Sequence, residues 1–166
     1  MARFTAQELE WKACDATIVP GGYGGTAYAD TIKALGERAR CALMRAPLDY
    51  ASPERGEVAI ALLRVAAEGP QPRRGAILLN PGGPGDDGLF LALLFGRLWS
   101  DVRTDGAGAQ FKELAQTCDL VGFSPRGTGA GTRLTCAARR PRSCSAASAT
   151  RVASGRRRSA CVRPTC

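Results

Sequence analysis

Gly75-Ala76-Ile77-Leu78-Leu79-Asn80-Pro81-Gly82-Gly83-Pro84-Gly85-Asp86-Asp87-Gly88-Leu89 is the stretch on which the fold turns. Gly75 to Leu79 is an unbroken apolar run of strand length, the pattern of a strand covered on both faces. It stops at Asn80 to Gly85, where prolines and glycines replace every side chain that could continue a ladder. Beyond the loop, Leu89, Leu93, Leu94, Leu98 and Val102 recur at helical spacing and predict a helix over 89–102. The unit is therefore strand, glycine loop, helix.

Working outward, Phe111 to Gln116 predicts a second short helix with Phe111, Leu114 and Ala115 inward, and Asp119-Leu120-Val121-Gly122-Phe123 another buried strand. Upstream, Cys41 to Arg45 and Glu57 to Ala66 have strand character, the second alternating Val58, Ile60 and Leu62 against Glu57, Ala59 and Ala61. Pro47 to Pro53 forms a rigid connection between them. Residues 11–40 read as a loop at Gly21 to Gly25 followed by a short helix over Ala29 to Arg40. The order strand, strand, strand, helix, strand, with glycine-rich turns after the last two strands, predicts an α/β fold with a partly parallel sheet. Ligand chemistry in such sheets sits at the carboxyl ends of the strands.

With 166 residues, 45% of them hydrophobic, the chain is sized for one domain with a real core. Its net charge of +8 is unevenly placed. Nine arginines and no acidic residue lie between Arg133 and Cys166, which leaves residues 1–132 with 14 basic against 15 acidic residues. The basic character belongs to the final stretch alone, and that stretch is rich in Ala, Ser, Arg and Cys with no aromatic residue. It buries too little apolar area to offset its ordering entropy, so residues 137–166 are expected to be a disordered basic tail after a folded part, 1–136. An arginine tail could hold nucleic acid or an acidic surface through counterion release, but it lacks interleaved aromatics for base stacking, and nucleic acid is the minor reading.

The seven cysteines are odd in number, so full internal pairing is impossible. Cys136, Cys144, Cys161 and Cys166 contain no C-x-x-C pair, and the chain has no histidine, which disfavours a structural zinc site. The absence of histidine also means that these residues cannot assemble a Ser-His-Asp triad. The N-terminus, Met-Ala-Arg-Phe-Thr-Ala-Gln-Glu-Leu-Glu, has no apolar signal-peptide core, and the longest purely apolar run, Leu89 to Phe95, is far below a membrane span. As written, the chain reads as soluble, untargeted and cytoplasmic, with no membrane partner.

The chemistry-bearing feature is the loop Pro81-Gly82-Gly83-Pro84-Gly85. Glycines let backbone N–H groups approach a ligand unobstructed, and flanking prolines stiffen the loop. Such a loop can present donors to an oxyanion, cradle a phosphate, or simply turn the chain. The phosphate use is disfavoured because no Gly-Lys-Ser/Thr follows and Asp86-Asp87 would repel a polyphosphate. Ser124-Pro125-Arg126-Gly127-Thr128-Gly129-Ala130-Gly131 has the wrong spacing for a dinucleotide loop, and no acidic residue follows it, so no cofactor is implied. Arg126 is expected to brace the neighbouring glycine loop.

Taken in order, Trp11…Cys14, Cys41…Pro47-Leu48-Asp49-Tyr50, Asn80-Pro81-Gly82-Gly83-Pro84-Gly85 and Asp119 to Gly129 resemble the N-terminal part of the tripeptidyl aminopeptidase-like α/β-hydrolases, over residues 11–136. The resemblance implies a serine exopeptidase, of a family usually exported, that releases short peptides from substrate N-termini. It implies that the loop does the work of the His-Gly-Gly-Pro-Gly loop of proline iminopeptidases, with the Gly83 N–H as one oxyanion donor and Asn80, Pro81, Gly82, Pro84, Gly85 and Arg126 in support. The second donor would follow a nucleophile in a G-x-S-x-G elbow, which this sequence lacks. The family's acid, histidine and inserted cap lie beyond residue 166, so the chain corresponds to the first third of an enzyme, an incomplete core of four strands and the first helices, and is expected to be non-catalytic by itself. A peptide would be the substrate of the longer parent.

The resemblance also implies a Cys14–Cys41 disulfide if the parent is exported, against two free thiols in a cytoplasmic product. Two positions depart from the family's pattern: Ser124 where aspartate is common, and Gly131 where serine is common. The similarity ends near Cys136 to Ala138, together with the change in composition, which reads as out-of-frame translation of a GC-rich gene. A G-x-S-x-G recovered in a neighbouring reading frame is the expected finding. In the family's sheet the strand at Ala76 to Leu79 has a neighbour on each side, one of which is missing here, so an open apolar edge and an aggregation-prone product are expected.

Overall fold

The computed structural model describes residues 1–15, 26–70, 73–83 and 85–132. All lie within the compact unit Met1–Leu134. The loop expected at Gly21 to Gly25, Pro84 and the whole arginine-rich tail fall outside the described residues.

Five strands form one sheet in the order β1-β2-β3-β5-β4. They are β1 (Lys12–Ala13), β2 (Ala39–Pro47), β3 (Glu57–Val65), β4 (Gly75–Leu79) and β5 (Cys118–Phe123). The helices are α1 (Ala2–Thr5), α2 (Thr26–Leu35), α3 (Gly88–Asp101) and α4 (Ala107–Thr117). Strands β1 to β3 and β5 pair antiparallel, while β4 pairs parallel to β5 with Leu79 opposite Gly122. The mixed α/β sheet is consistent with part of an α/β-hydrolase core. The sequence reading finds four of the five strands. It misses β1, a two-residue strand too short to carry any periodicity.

Both faces of β3 are used. Ala61, Leu63 and Val65 join Tyr28, Leu35, Cys41, Leu89, Leu93 and Leu120 in the main core, while Val58, Ile60 and Leu62 pack with Ala42 and Ala46 against Leu9, Trp11 and Phe123. The alternation of Val58, Ile60 and Leu62 against small or charged neighbours thus marks the thinner of two cores, the one covered by the N-terminal segment. Gln7 secures that segment by copying a strand's hydrogen bonds. Its amide donates to Arg45 O at 2.7 Å and accepts from Arg45 N–H at 2.9 Å. The Arg64 guanidinium lies 4.8 Å from the Trp11 ring centroid.

Several boundaries and faces differ from expectation. The helix expected over Ala29 to Arg40 spans Thr26–Leu35, followed by a 3-10 turn at Gly36–Arg38, because Gly36 takes φ 54° and ends it. Ala39 and Arg40 belong to β2. In α3 the buried stripe is Gly88, Leu89, Ala92, Leu93 and Gly96, and Leu98 is 52% exposed. Small residues hold this helix close to the sheet: a Cβ on Gly96 would sit 2.9 Å from the Val65 side chain, and one on Gly122 would run into the Gly88 carbonyl oxygen. Counting large apolar residues therefore finds Leu89 and Leu93 but misses Gly88, Ala92 and Gly96 in the buried stripe of α3. Phe111 is 43% exposed and stacks on Trp99 at 5.4 Å, leaving Ala115 as the buried residue of α4.

The expectation that Gly75 to Leu79 is covered on both faces fails. Among the described residues β4 is an edge strand paired only with β5, and Leu78 is 70% exposed. The open edge implied by the family resemblance is present. Among the described residues, no helix is long and apolar enough to cross a membrane.

A polar clamp closes the opposite end of the unit. Glu68 accepts from Arg38 Nη1 and from Lys112 Nζ, both at 2.9 Å, and the same two cations reach Ser100 Oγ at 3.0 Å and Ser100 O at 2.6 Å. Burial pushes the Glu68 carboxyl up, but hydrogen bonds from Ser100 and Lys112 and the charges of Arg38 and Lys112 outweigh it, so its pKa is lowered below 4.5. A carboxylate lowered in the folded state stabilises fully above its unfolded value and loses that contribution as pH falls through the folded one. Urea unfolding of Glu68→Gln is expected to show a loss against wild type at pH 7 that shrinks as pH drops below 4.5. A loss independent of pH would show that the clamp acts through packing alone.

Candidate oxyanion-loop site

Because β4 and β5 run parallel, the loop after Leu79 and the loop after Phe123 leave the same end of the sheet. The antiparallel β2–β3 pair brings its own connection, residues 48–56, to that end as well. Three loops therefore meet at the carboxyl ends of β4 and β5, where ligand sites of such sheets are built.

The glycine loop is exposed, and its backbone is unusual. Gly82, Gly83 and Gly85 take φ of 86°, 127° and 97°, values that side-chain-bearing residues rarely adopt. The Asn80 side-chain oxygen accepts the Gly82 N–H at 3.2 Å, a local turn that uses up this donor. No acceptor for the Gly83 N–H is recorded among the described residues. A Cβ at position 83 would lie 2.8 Å from Gly85 N and 3.0 Å from Asp86 N, so the bend itself requires glycine.

The loop ends at Asp87, whose Oδ1 accepts the Leu89 N–H at 2.9 Å and caps α3. The same oxygen accepts the Ser124 hydroxyl at 2.9 Å. Ser124 is fully buried, its N–H donates to Ala61 O at 2.9 Å, and Gly129 sits so close that a Cβ there would overlap the Asp87 carboxylate. Burial, with the negative charge of Asp87 added to it, pushes the Tyr28 hydroxyl up to about 12. Sequence reading treats Asp87 only as a deterrent to phosphate and Ser124 only as a departure. The N-cap signature of an aspartate directly before an apolar helix is the signal that was there to find.

Among the described residues, Arg126 reaches the β2–β3 connection. Its Nη1 donates to Leu48 O at 3.2 Å and its guanidinium stacks 4.6 Å from the Tyr50 centroid, so it ties the third loop, the β2–β3 connection, to the β5 exit. Thr132 completes this exit by exchanging hydrogen bonds with the backbone of Ala59, its N–H to Ala59 O at 2.9 Å and its hydroxyl from Ala59 N–H at 2.8 Å.

No family model matches the chain. Curated proteins do. It is 32% identical to carboxylesterase B of Mycobacterium tuberculosis over 131 residues, 79% of this chain and 21% of that protein. It is 33% identical to the tripeptidyl aminopeptidase of Streptomyces lividans over 98 residues, 58% of this chain and 17% of that protein. These matches support a serine hydrolase-like family for the chain. A third relative, serine protease Hip1 of Mycobacterium tuberculosis, is 32% identical over 73% of this chain and 18% of its own length. The chain thus spans about a fifth of the length of these hydrolases.

The disulfide that the family resemblance implies is formed. Cys14 and Cys41 are bonded across a separation of 27 residues, beside the β1–β2 register in which Lys12 faces Cys41. It pins the N-terminal segment to the sheet.

Proposed function

We propose that this chain carries the oxyanion loop of a serine hydrolase that releases short peptides from substrate N-termini in its longer form, with the Gly83 N–H as one oxyanion donor. The observation that supports it most is the pairing of donors in the loop: Asn80 takes the Gly82 N–H, while the Gly83 N–H has no acceptor recorded among the described residues and stands at the carboxyl end of β4. A preorganised, unspent N–H stabilises the charge that develops on a substrate oxygen in acyl transfer. Asn80, Pro81, Gly82, Pro84 and Gly85 support it by shaping the loop. Arg126 supports it at one remove, by holding the neighbouring connection.

The 166 residues contain no histidine and no G-x-S-x-G, so the chain alone supplies neither base nor nucleophile elbow and is not catalytic. Assays with tripeptidyl and aminoacyl chromogenic substrates are expected to give no turnover above the buffer rate. In a longer form that includes the elbow, Gly83→Ala is expected to lower kcat by about 100-fold with KM little changed. An unchanged kcat would remove Gly83 from the reaction.

The open edge at β4 favours association of the isolated chain through its unpaired strand. Leu78→Lys changes a 70% exposed side chain, so it is expected to alter unfolding free energy by no more than about 0.5 kcal/mol while raising the monomeric fraction in light scattering. Equal aggregation of the variant would show that the edge is not the cause.

A further inference from the structure

We propose that Asp87 is the positioning residue of the glycine loop, and that it acts through Ser124 rather than only as a helix cap. Its relevance to catalysis rests on the reading of Gly83 as an oxyanion donor; the geometry stands without that reading.

The loop has two fixed ends and little between them. At its start the Asn80 side chain holds the Gly82 N–H. At its end a single oxygen, Asp87 Oδ1, holds both the Leu89 N–H at the start of α3 and the buried Ser124 hydroxyl at the exit of β5. Among the described glycines of the interval, a Cβ built on Gly82 or Gly85 would meet nothing within 4 Å, and one on Gly83 would meet only the loop's own Gly85 and Asp86. Glycines in open space have wide backbone freedom, so the direction of the Gly83 N–H depends on where the ends are held. Asp87 ties the far end to a residue that is itself fixed, since Ser124 N–H is bonded to β3 at Ala61 O. The backbone at Gly129 lies so close that a Cβ there would overlap the Asp87 carboxylate. A residue serving only as a cap needs the Leu89 N–H alone. The second bond, across 37 positions to a fully buried hydroxyl, is what couples the loop to the sheet.

Backbone order parameters of Gly82, Gly83 and Gly85, measured by nitrogen-15 relaxation on the full 166-residue chain with Leu78→Lys added to limit association, test this. Ser124→Ala keeps the cap and cuts only the tie, so it carries the test if Asp87→Ala does not fold. Both are expected to lower the glycine values from about 0.85 to below about 0.6, and Ser124→Ala should leave the Leu89 amide unchanged. The reciprocal variant, Asp87→Ser with Ser124→Asp, restores a carboxylate–hydroxyl pair and is expected to restore the order. Unchanged glycine values in Ser124→Ala, or no recovery in the reciprocal variant, would reduce Asp87 to a cap and overturn the proposal. The readout needs no nucleophile or substrate. A rigid glycine loop in Ser124→Ala therefore defeats the positioning role alone, and an unchanged kcat in Gly83→Ala defeats the oxyanion reading alone.

Discussion

Ser124→Asp is expected to destabilise the protein by about 4 kcal/mol, the cost of leaving a buried charge without a partner. Ser124 is fully buried, and its hydroxyl donates to Asp87 at 2.9 Å. An aspartate there would set a fully buried carboxylate against that of half-buried Asp87. One must take up a proton, or both must move apart and break the cap on Leu89. The expectation is specific because the family resemblance points to aspartate at this position, so the change that looks most like a repair is the damaging one. Adding Asp87→Ser should recover most of the loss, since serine also caps helices and again faces a carboxylate. Urea unfolding of the four proteins forms a cycle, with a coupling of about 3 kcal/mol expected. Additive losses would show that Asp87 and Ser124 do not interact.

Removal of the Cys14–Cys41 disulfide is expected to lower stability by about 3.5 kcal/mol, the loop-closure value for a bond of this separation, and Tm by roughly 10 °C. The bond joins the segment carrying Leu9 and Trp11 to β2, and those two residues cover the thinner core over Val58, Ile60 and Leu62. Cys41 is fully buried, so Cys14→Ala with Cys41→Ala is the cleaner variant, avoiding an unsatisfied hydroxyl. Thermal unfolding of this double variant, and of the wild type in reductant, should agree. If both melt as the oxidised protein does, the N-terminal segment is held by Gln7 and Trp11 without the bond.

Legibility varied with length of pattern. The strands at β2, β3, β4 and β5 and both helices after β4 were readable because each repeats its signal over several residues. Strand β1 was not, since two residues carry no period. Of the buried stripe of α3 only Leu89 and Leu93 were legible, because close approach to the sheet also selects Gly88, Ala92 and Gly96, which a count of large apolar residues ignores. The glycine loop was legible as a loop, from its composition. The partner of Arg126 was not, because nothing in the local sequence of a long flexible cation tells which of two adjacent loops its guanidinium will reach.

By itself the sequence determined the alternation of strands and helices, the glycine loop after β4, and the lack of any histidine for a triad, all of which are properties of neighbours along the chain or of composition. Only the tertiary structure decided that β4 lies at an edge, that Asp87 and Ser124 share a hydrogen bond across 37 positions, and that the Gly82 donor is spent while Gly83 has no acceptor among the described residues. Those facts depend on which strands lie side by side and how loops meet at their ends. Pairing of segments distant in sequence is fixed by the burial of the whole sheet, and no local pattern encodes it.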